Sequence, residues 1–355
     1  MGEDHIPLRT NRRTLLGAAL VAGAGAVGLG GFLFAENGIG PARLTARRIV
    51  DGLQAAGGYV PGYRRNHAKG VAVAGRFESS GAGTELSSAS VFRAGSYPLT
   101  GRFSLAGGQP FASDTAAARR GFALRLALPA GEQWRLALLN IPVFTDTSGQ
   151  DFHDRTAAYA PDPATGKPDP ARVREYLAAH PKTAAALEVI KQNPPTPSFA
   201  TSTFHSLNAF ECVDGHGGRT PVRWRLEPET TDAAPSSGDN QLFAGLVRDI
   251  RRGPVRWKLI AVVGVRGTDP TDDPTVAWPA DRRRIDTGTI VVTDIATETA
   301  ANVREVNFDP LVLPNGIAAS DDPVLQARSA AYAESYRRRA GETLARQPLR
   351  TEDLA

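Results

Sequence analysis

Cysteine is almost absent from this chain of 355 residues. The single one, Cys212, excludes an intramolecular disulfide and any zinc or iron–sulfur site built from several cysteines. A run of basic residues with interleaved aromatics is missing as well, because the 41 basic and 37 acidic residues are spread along the chain. The composition therefore gives no support for nucleic acid as a partner, and the hydrophobic fraction of 41% is ordinary for a globular protein.

Common nucleotide and hydrolase motifs are also lacking. The chain has no G-x-x-x-x-G-K-[ST] phosphate loop, no G-x-S-x-G nucleophile elbow and no internal repeat. Histidine is sparse, with six in the whole chain. Candidates for histidine-based chemistry are therefore few, and most of the six lie in peripheral sequence contexts.

The N-terminal segment has the features of an export signal. Arg12 and Arg13 precede an uncharged stretch over residues 14–35, which is the pattern of a twin-arginine signal. The stretch is also long enough to span a bilayer, and no clear A-x-A cleavage site follows it. We expect residues 1–40 to be an export signal or a membrane anchor, and residues 41–355 to be one domain in the periplasm, soluble or attached to the inner membrane. A buried Gly/Ala helix is the alternative.

The rest of the chain predicts an α+β fold. From residue 70 onward, alternating runs such as "GVAVAGRFES" and "WKLIAVVGV" are bounded by turn residues, which predicts the strands of an antiparallel sheet or barrel. Residues 169–193 predict a helical insert that Pro181 divides, and the chain closes with a helix containing residues 326–341.

That last helix carries an unusual set of side chains. Arg328, Tyr332, Tyr336 and Arg339 are spaced by 4, 4 and 3 residues, so they fall on one stripe of an α-helix. An arginine one turn from a tyrosine favours the phenolate, which is a metal ligand. An exposed amphipathic helix with Arg–aromatic stacking is the alternative.

Among the histidines, His67 has the most informative neighbours. It lies just before a predicted strand and beside Arg64, Arg65 and Lys69, which would bind an anionic group. His205 begins a strand, where a structural role is favoured over a catalytic one, and a structural role is also the alternative for His67.

Four segments resemble haem catalases in order and spacing. They are "HAKG", "GRFSLAGGQPFASDTAAARRGFALRL", "LLNIPVF" and "NFDPLVLPNGIAASDDPVLQARSAAYAESYRRR". The export signal, the short length and "DPTDDPTVAWP" are more similar to catalase-related peroxidases, a compact bacterial branch. The resemblance covers about residues 60–345. It implies a catalase-type antiparallel eight-stranded β-barrel with a helical insert and a C-terminal haem-binding helix.

The resemblance also implies how haem b would be held. Tyr332 would be the proximal iron ligand as a tyrosinate, and Arg328 would keep it ionised. Arg339, Arg64 and Arg102 would meet the haem propionates.

On the distal side, the resemblance implies that His67 is the general base, with Ser104 fixing its tautomer and Phe144 as a wall. Catalases carry an asparagine in this pocket, but a gap-free alignment puts Leu139 in its place. Asn140 is the remaining candidate for that catalytic role and needs a β-bulge to face the pocket.

Two further departures concern Ala118 and Tyr336. Ala118 stands where the catalase entrance channel has an acidic residue, and Tyr336 stands where catalases usually have a histidine. The loss of the asparagine and of the acidic residue would weaken a cycle that consumes two peroxides more than one reduced by an organic donor.

We therefore expect a haem peroxidase that reduces hydrogen peroxide or organic peroxides with a small organic electron donor. A true catalase and a hydroperoxide isomerase are alternatives on the same fold. A non-enzymatic haem-binding or haem-storage protein would share Tyr332 and Arg328 without needing His67. A lipid-binding barrel without haem is a further alternative, and the oligomeric state stays open.

Overall fold

The computed structural model describes residues 44–115, 118–233, 236–346 and 349–354. The predicted export signal, with Arg12 and Arg13, lies outside these residues. Within them, no helix is both long enough and apolar enough to cross a membrane.

Several strands alternate between buried and less buried residues, as β4 does throughout its length. In chain order the strands of the described residues are β1 (Gly70–Ser79), β2 (Gly95–Leu105), β3 (Arg120–Ala127), β4 (Gln133–Leu139), β5 (Phe204–His205), β6 (Phe210–Val213), β7 (Arg219–Pro228), β8 (Val255–Val263), β9 (Arg284–Ala296) and β10 (Ile317–Ala319).

Eight of these strands close into an antiparallel barrel. Their order is β7-β5-β4-β3-β2-β1-β9-β8, and the pairing of β8 with β7 completes the ring. β6 also pairs with β7, and β10 pairs with β6. Closure leaves the barrel itself without a free edge, so its backbone groups are satisfied within the sheet. The predicted eight-stranded barrel is confirmed.

Helices cover part of the outside of the barrel. They are α1 (Ala46–Gly57), α2 (Gly149–Ala158), α3 (Pro170–Ala179), α4 (Pro181–Lys191), α5 (Gln241–Arg252) and α6 (Pro323–Ala340). α3 and α4 are the predicted helical insert, and Pro181 begins the second of them, where its missing N–H costs nothing. α1, α2 and α6 pack against one another.

The barrel interior is filled by aromatic and aliphatic side chains. The rings of Phe103 and Phe122 stack with centroids 4.0 Å apart, and Trp257 lies 5.3 Å from Phe122. Because side chains alternate along a strand, the neighbours of Phe103, Arg102 and Ser104, point to the outer face. The functional side chains of β2 are therefore presented to a space outside the barrel.

Candidate functional site

One large cavity lies against the outer face of the barrel. It holds about 1190 Å³ of space, counted out to the solvent at its mouth. Its walls come from β2, β3 and β4 on one side and from α1, α2 and α6 on the other. Eight of the residues predicted from sequence line it: Arg64, His67, Arg102, Ser104, Phe144, Arg328, Tyr332 and Arg339.

His67 and Ser104 meet at the barrel wall. The Nδ1 atom of His67 lies 3.1 Å from the hydroxyl oxygen of Ser104. A Cβ atom at Gly121, on the next strand, would lie 2.8 Å from that hydroxyl and 3.0 Å from His67 Nδ1. The absence of a side chain at Gly121 is what lets the imidazole and the hydroxyl approach each other at this point.

The pKa of His67 is lowered to about 3 by burial and by the positive charges of Arg102, Arg328 and Arg64. The imidazole is therefore uncharged at neutral pH. In the tautomer with its proton on Nδ1, His67 donates to the Ser104 hydroxyl and Nε2 is the ring nitrogen that can accept a proton from a molecule in the cavity.

The backbone of His67 is in the left-handed region, with φ of +56°. Its carbonyl oxygen accepts a hydrogen bond from Arg102 Nη1 at 2.8 Å, and that of Ala68 accepts one from Arg102 Nη2 at 3.0 Å. The side-chain oxygen of Asn66 accepts hydrogen bonds from the N–H groups of His67 at 3.0 Å and Gly107 at 2.8 Å. Asn66 was not predicted from the sequence as a site residue. Its position next to His67 in the chain was the one feature that could have identified it.

The stripe on α6 faces the cavity. Arg328, Tyr332, Tyr336 and Arg339 all line it, and Arg339 is only 5% exposed. The alternative of a solvent-exposed stripe is therefore wrong. Cation–π contacts occur within the stripe, since the guanidinium carbon of Arg328 lies 6.0 Å from the Tyr332 ring centroid and that of Arg339 lies 4.8 Å from the Tyr336 ring.

A network behind α6 holds Arg328 in place. Its guanidinium donates to the carbonyl oxygen of Ala137 at 2.9 Å and to the side-chain oxygen of Asn208. Asn208 in turn donates to Asp322 at 2.7 Å. Asp322 is fully buried, and its other oxygen accepts from the N–H of Val324 at 2.8 Å, which caps the helix.

Sequence reasoning missed this network. An aspartate before Pro323 at a helix start is a readable N-cap signal. The partner of that aspartate, Asn208, lies on a different part of the chain, so only the fold reveals the pair. Burial raises the pKa of Asp322, while its hydrogen bonds and the charge of Arg328 act in the opposite direction.

Positive charge is concentrated where Arg64, Arg102 and Arg339 lie. Arg64 and Arg339 both donate to carbonyl oxygens within residues 303–306. Burial lowers the pKa of Arg102 to about 10 and that of Arg339 to about 9, and both remain protonated at neutral pH. A carboxylate that the sequence did not predict, Glu298, binds Arg64 and Arg102, the latter at 2.7 Å.

Glu298 is ionised despite its burial. Burial by itself raises its pKa, but the charges of Arg102 and Arg64 outweigh that effect and hold it at about 2. Three guanidinium groups against one carboxylate leave two positive charges in excess, enough to balance two carboxylates of a bound molecule. Glu298 lies in a loop after β9 and carried no sequence signal.

Asn140 does not reach the cavity. β3 and β4 pair in regular register, with Gly121 opposite Leu139, so Leu139 faces the cavity and the next residue points away. The Asn140 side chain instead accepts a hydrogen bond from the backbone N–H of Arg120 at 2.7 Å. The bulge that its predicted catalytic role required is absent from this pairing.

Apolar side chains complete this part of the cavity. The Phe144 ring stacks on Phe152 with centroids 6.1 Å apart, and both line the cavity with Leu139. Ala118, another of the three departures, packs against the barrel core.

The residues present fit a haem. The cavity offers apolar walls, an excess of two positive charges for two propionates, and a phenol on the stripe of α6. Within the described residues, no group of three or more His, Cys, Asp or Glu side chains could hold a bare metal ion.

Comparisons with known proteins agree with this geometry. A family model described as catalase matches residues 40–351. A catalase-related peroxidase of Synechococcus elongatus is 36% identical over 91% of this chain and 94% of its own. One of Mycolicibacterium paratuberculosis is 31% identical over 84% of this chain and 96% of its own. The crystal structure of a fungal catalase has a TM-score of 0.71 at 21% identity, covering 80% of this chain and 60% of the catalase chain.

Proposed function

Since the chain belongs to the catalase family, we propose that it is a haem-dependent peroxidase, an oxidoreductase that reduces hydrogen peroxide or an organic peroxide with electrons from a small organic donor. The observation that carries this proposal is a single cavity that combines an uncharged His67, the phenol of Tyr332 and a cluster of arginines. The similar full-length relatives named catalase-related peroxidase support the same activity.

The cofactor is haem, and we assign its binding groups as follows. Tyr332 would supply its phenolic oxygen to the iron, and Arg328 would supply positive charge beside that oxygen. Arg339, Arg64 and Arg102 supply the positive end of the cavity for the two propionates of haem b. When bound, the haem supplies the redox-active iron at which peroxide is reduced.

His67 moves the proton. With Nδ1 hydrogen-bonded to Ser104, its uncharged ring accepts a proton at Nε2 from one peroxide oxygen and returns it to the other. The proton transfer makes the departing oxygen a better leaving group. A positioned general base of this kind typically contributes about 10² to 10⁴ in rate.

The side chain of Leu139 favours an organic donor, and not a second peroxide molecule, as the reductant that completes the cycle. At this position the cavity wall is apolar, and Phe144 and Phe152 continue that wall. A second peroxide molecule therefore has no polar side chain there to orient it. A true catalase depends on that orientation, and so the peroxidase function is favoured.

A haem carrier is the second candidate. It would share Tyr332 and Arg328, but it has no need of a histidine held in a left-handed backbone against a serine hydroxyl. Strained backbone of this kind costs about 1–3 kcal/mol and is concentrated at functional sites. The geometry of His67 therefore favours the enzyme.

Spectra and two assays test the proposal. The haem-loaded protein should oxidise a dye such as ABTS with hydrogen peroxide or tert-butyl hydroperoxide, while an oxygen electrode records little release. Vigorous oxygen release with hydrogen peroxide would make the protein a true catalase. A haem spectrum that does not respond to either peroxide would make it a carrier.

The proposed location is the periplasm. Residues 1–40, with Arg12 and Arg13, act as the export signal or membrane anchor of the domain formed by residues 41–355. Replacing both arginines by lysine should leave the protein in the cytoplasmic fraction. Unchanged fractionation of the double variant would contradict twin-arginine export.

A further inference from the structure

Glu298 is buried at the positive end of the cavity, although nothing in the proposed reaction requires a carboxylate there. It is 7% exposed and ionised, and it binds two arginines at once. A buried ion pair does not by itself stabilise a fold, because desolvation of the charges offsets their attraction. The position of Glu298 therefore calls for a role other than stability.

The hydrogen bonds of Arg102 indicate that role. Its Nε donates to Glu298 at 2.7 Å, while Nη1 and Nη2 donate to the carbonyl oxygens of His67 and Ala68. All three nitrogens of the guanidinium are thus directed to protein oxygens. Glu298 holds one edge of the guanidinium plane, and the two carbonyl groups hold the other.

The segment held by Arg102 is the one that needs support. His67 has a φ of +56°, which only glycine and a few polar residues adopt readily, and such a conformation persists when its surroundings fix it. Its ring must also stay on Ser104 for Nε2 to face the cavity. The carbonyl contacts of Arg102 add to the hydrogen bonds that Asn66 makes with the same segment, and their loss would loosen both constraints.

We propose that Glu298 is a positioning residue for His67, acting through Arg102. By binding Nε it keeps the guanidinium on the carbonyl oxygens of His67 and Ala68. By binding Arg64 with its other oxygen it joins this support to the groups that receive the propionates. Arg102 therefore supports the distal loop in addition to contributing positive charge at the propionate end of the cavity. The effect on peroxide rests on the proposed function, whereas the effect on the His67 ring does not.

The test compares Glu298→Gln with a matched control. Glu211→Gln removes a carboxylate of equal exposure, 7%, that binds Arg266 outside the cavity. The amide of the Glu298 variant keeps the side-chain volume but loses the charge that holds both arginines. A displacement of about 1 Å at a catalytic group can cost about 10² in rate. We expect the peroxide reaction of haem-loaded Glu298→Gln to slow by about that factor, with hemin affinity changed only a few-fold and the Glu211 control unchanged.

A ring measurement separates this inference from the function. In protein labelled with ¹⁵N-histidine and loaded with gallium protoporphyrin IX, a diamagnetic probe, the His67 ring nitrogens should show one fixed tautomer. That signal should broaden or shift in Glu298→Gln and recover partly in Glu298→Asp, which restores the charge. Arg102→Lys should give the same change, because lysine cannot bridge the carboxylate and the two carbonyl oxygens.

Two outcomes would overturn the proposal. One is an unchanged His67 ring signal in Glu298→Gln, whatever the peroxide rate. The other is a changed hemin affinity with wild-type peroxide kinetics, which would make Glu298 part of the propionate site alone. If wild-type protein fails to react with peroxide, the proposed function fails, but the ring measurement still decides the role of Glu298.

Discussion

Tyr332 stands on a helix of 18 residues, whereas His67 stands in a loop with a left-handed backbone. The helix places Tyr332 by its own hydrogen bonds and needs outside help only to fix the neighbouring Arg328. The loop has no repeating structure, so His67 depends on the adjacent Asn66 and also on Arg102 and Glu298, which come from a strand and a distant loop. The proximal side of the cavity is therefore built from local structure, and the distal side from long-range contacts.

This contrast predicts different failures on the two sides. A change on the proximal side should affect whether haem is held at all. A change on the distal side should leave haem in place and affect what it does. Variants of both sides, ordered by expected effect, test that division.

The largest effect should come from Tyr332→Phe. The variant loses the only anionic ligand proposed for the iron, so we expect stable haem incorporation to be abolished while the β-rich fold remains. Absorbance in the haem band per mole of protein and far-UV circular dichroism measure the two properties. Tyr336→Phe, one turn further on the same stripe, is the matched control and should retain haem. Full occupancy with an unchanged ferric spectrum in Tyr332→Phe would place the ligand elsewhere.

His67→Ala should retain haem and slow the peroxide reaction by about 10² to 10⁴, the usual contribution of a general base. Stopped-flow absorbance would measure the rate. His205→Gln is a demanding control, because burial first, and then Arg225 and Arg223, also lower the pKa of His205 to about 3, although it does not line the cavity. Equal rates in wild type and His67→Ala would make His67 structural and favour a haem carrier.

An intermediate effect is expected when the support of Arg328 is removed. Asn208→Ala breaks the link between Arg328 and Asp322 but leaves the helix cap of Asp322 intact. Loss of such an outer partner typically weakens metal-site affinity about 10- to 100-fold. Hemin titration should show that loss, and the peroxide rate of the haem that does bind should change little. If Asn208→Ala had normal hemin affinity and a slower peroxide reaction, the assignment of haem retention to the proximal side and of reactivity to the distal side would be wrong.

The smallest effect should be that of pH on the peroxide reaction. The pKa of His67 lies at about 3 in the folded protein instead of 6.5, so the base stays uncharged from about pH 5 to 8 and the rate should be flat there. A stopped-flow pH series that shows an acid limb near pH 6.5 would mean that His67 is not enclosed as described.

The same pKa shift affects the stability of the fold. The folded state takes up this proton at lower pH than the unfolded chain does, so the contribution of His67 lowers the free energy of unfolding progressively as pH falls from 6.5 to about 3.

The sequence by itself determined the parts of this protein that repeat over short distances. Alternation of apolar and polar residues predicted the strands, and the division of the insert at Pro181 was visible in the chain. The stripe from Arg328 to Arg339 was also predicted, because the helix period alone decides which side chains share a face.

Only the tertiary structure determined which residues from other parts of the chain pack or pair with those strands and helices. The register of β3 with β4 places Leu139 at the cavity and directs Asn140 away from it. The sequence of one strand does not reveal which of the two residues faces the cavity, because that depends on the pairing. Glu298 is identified as the partner of Arg64 and Arg102 only from the tertiary structure, in which the three residues lie together. The physical reason is that these contacts join residues far apart in the chain, so their geometry depends on how whole elements pack and pair, which no local pattern of residues records.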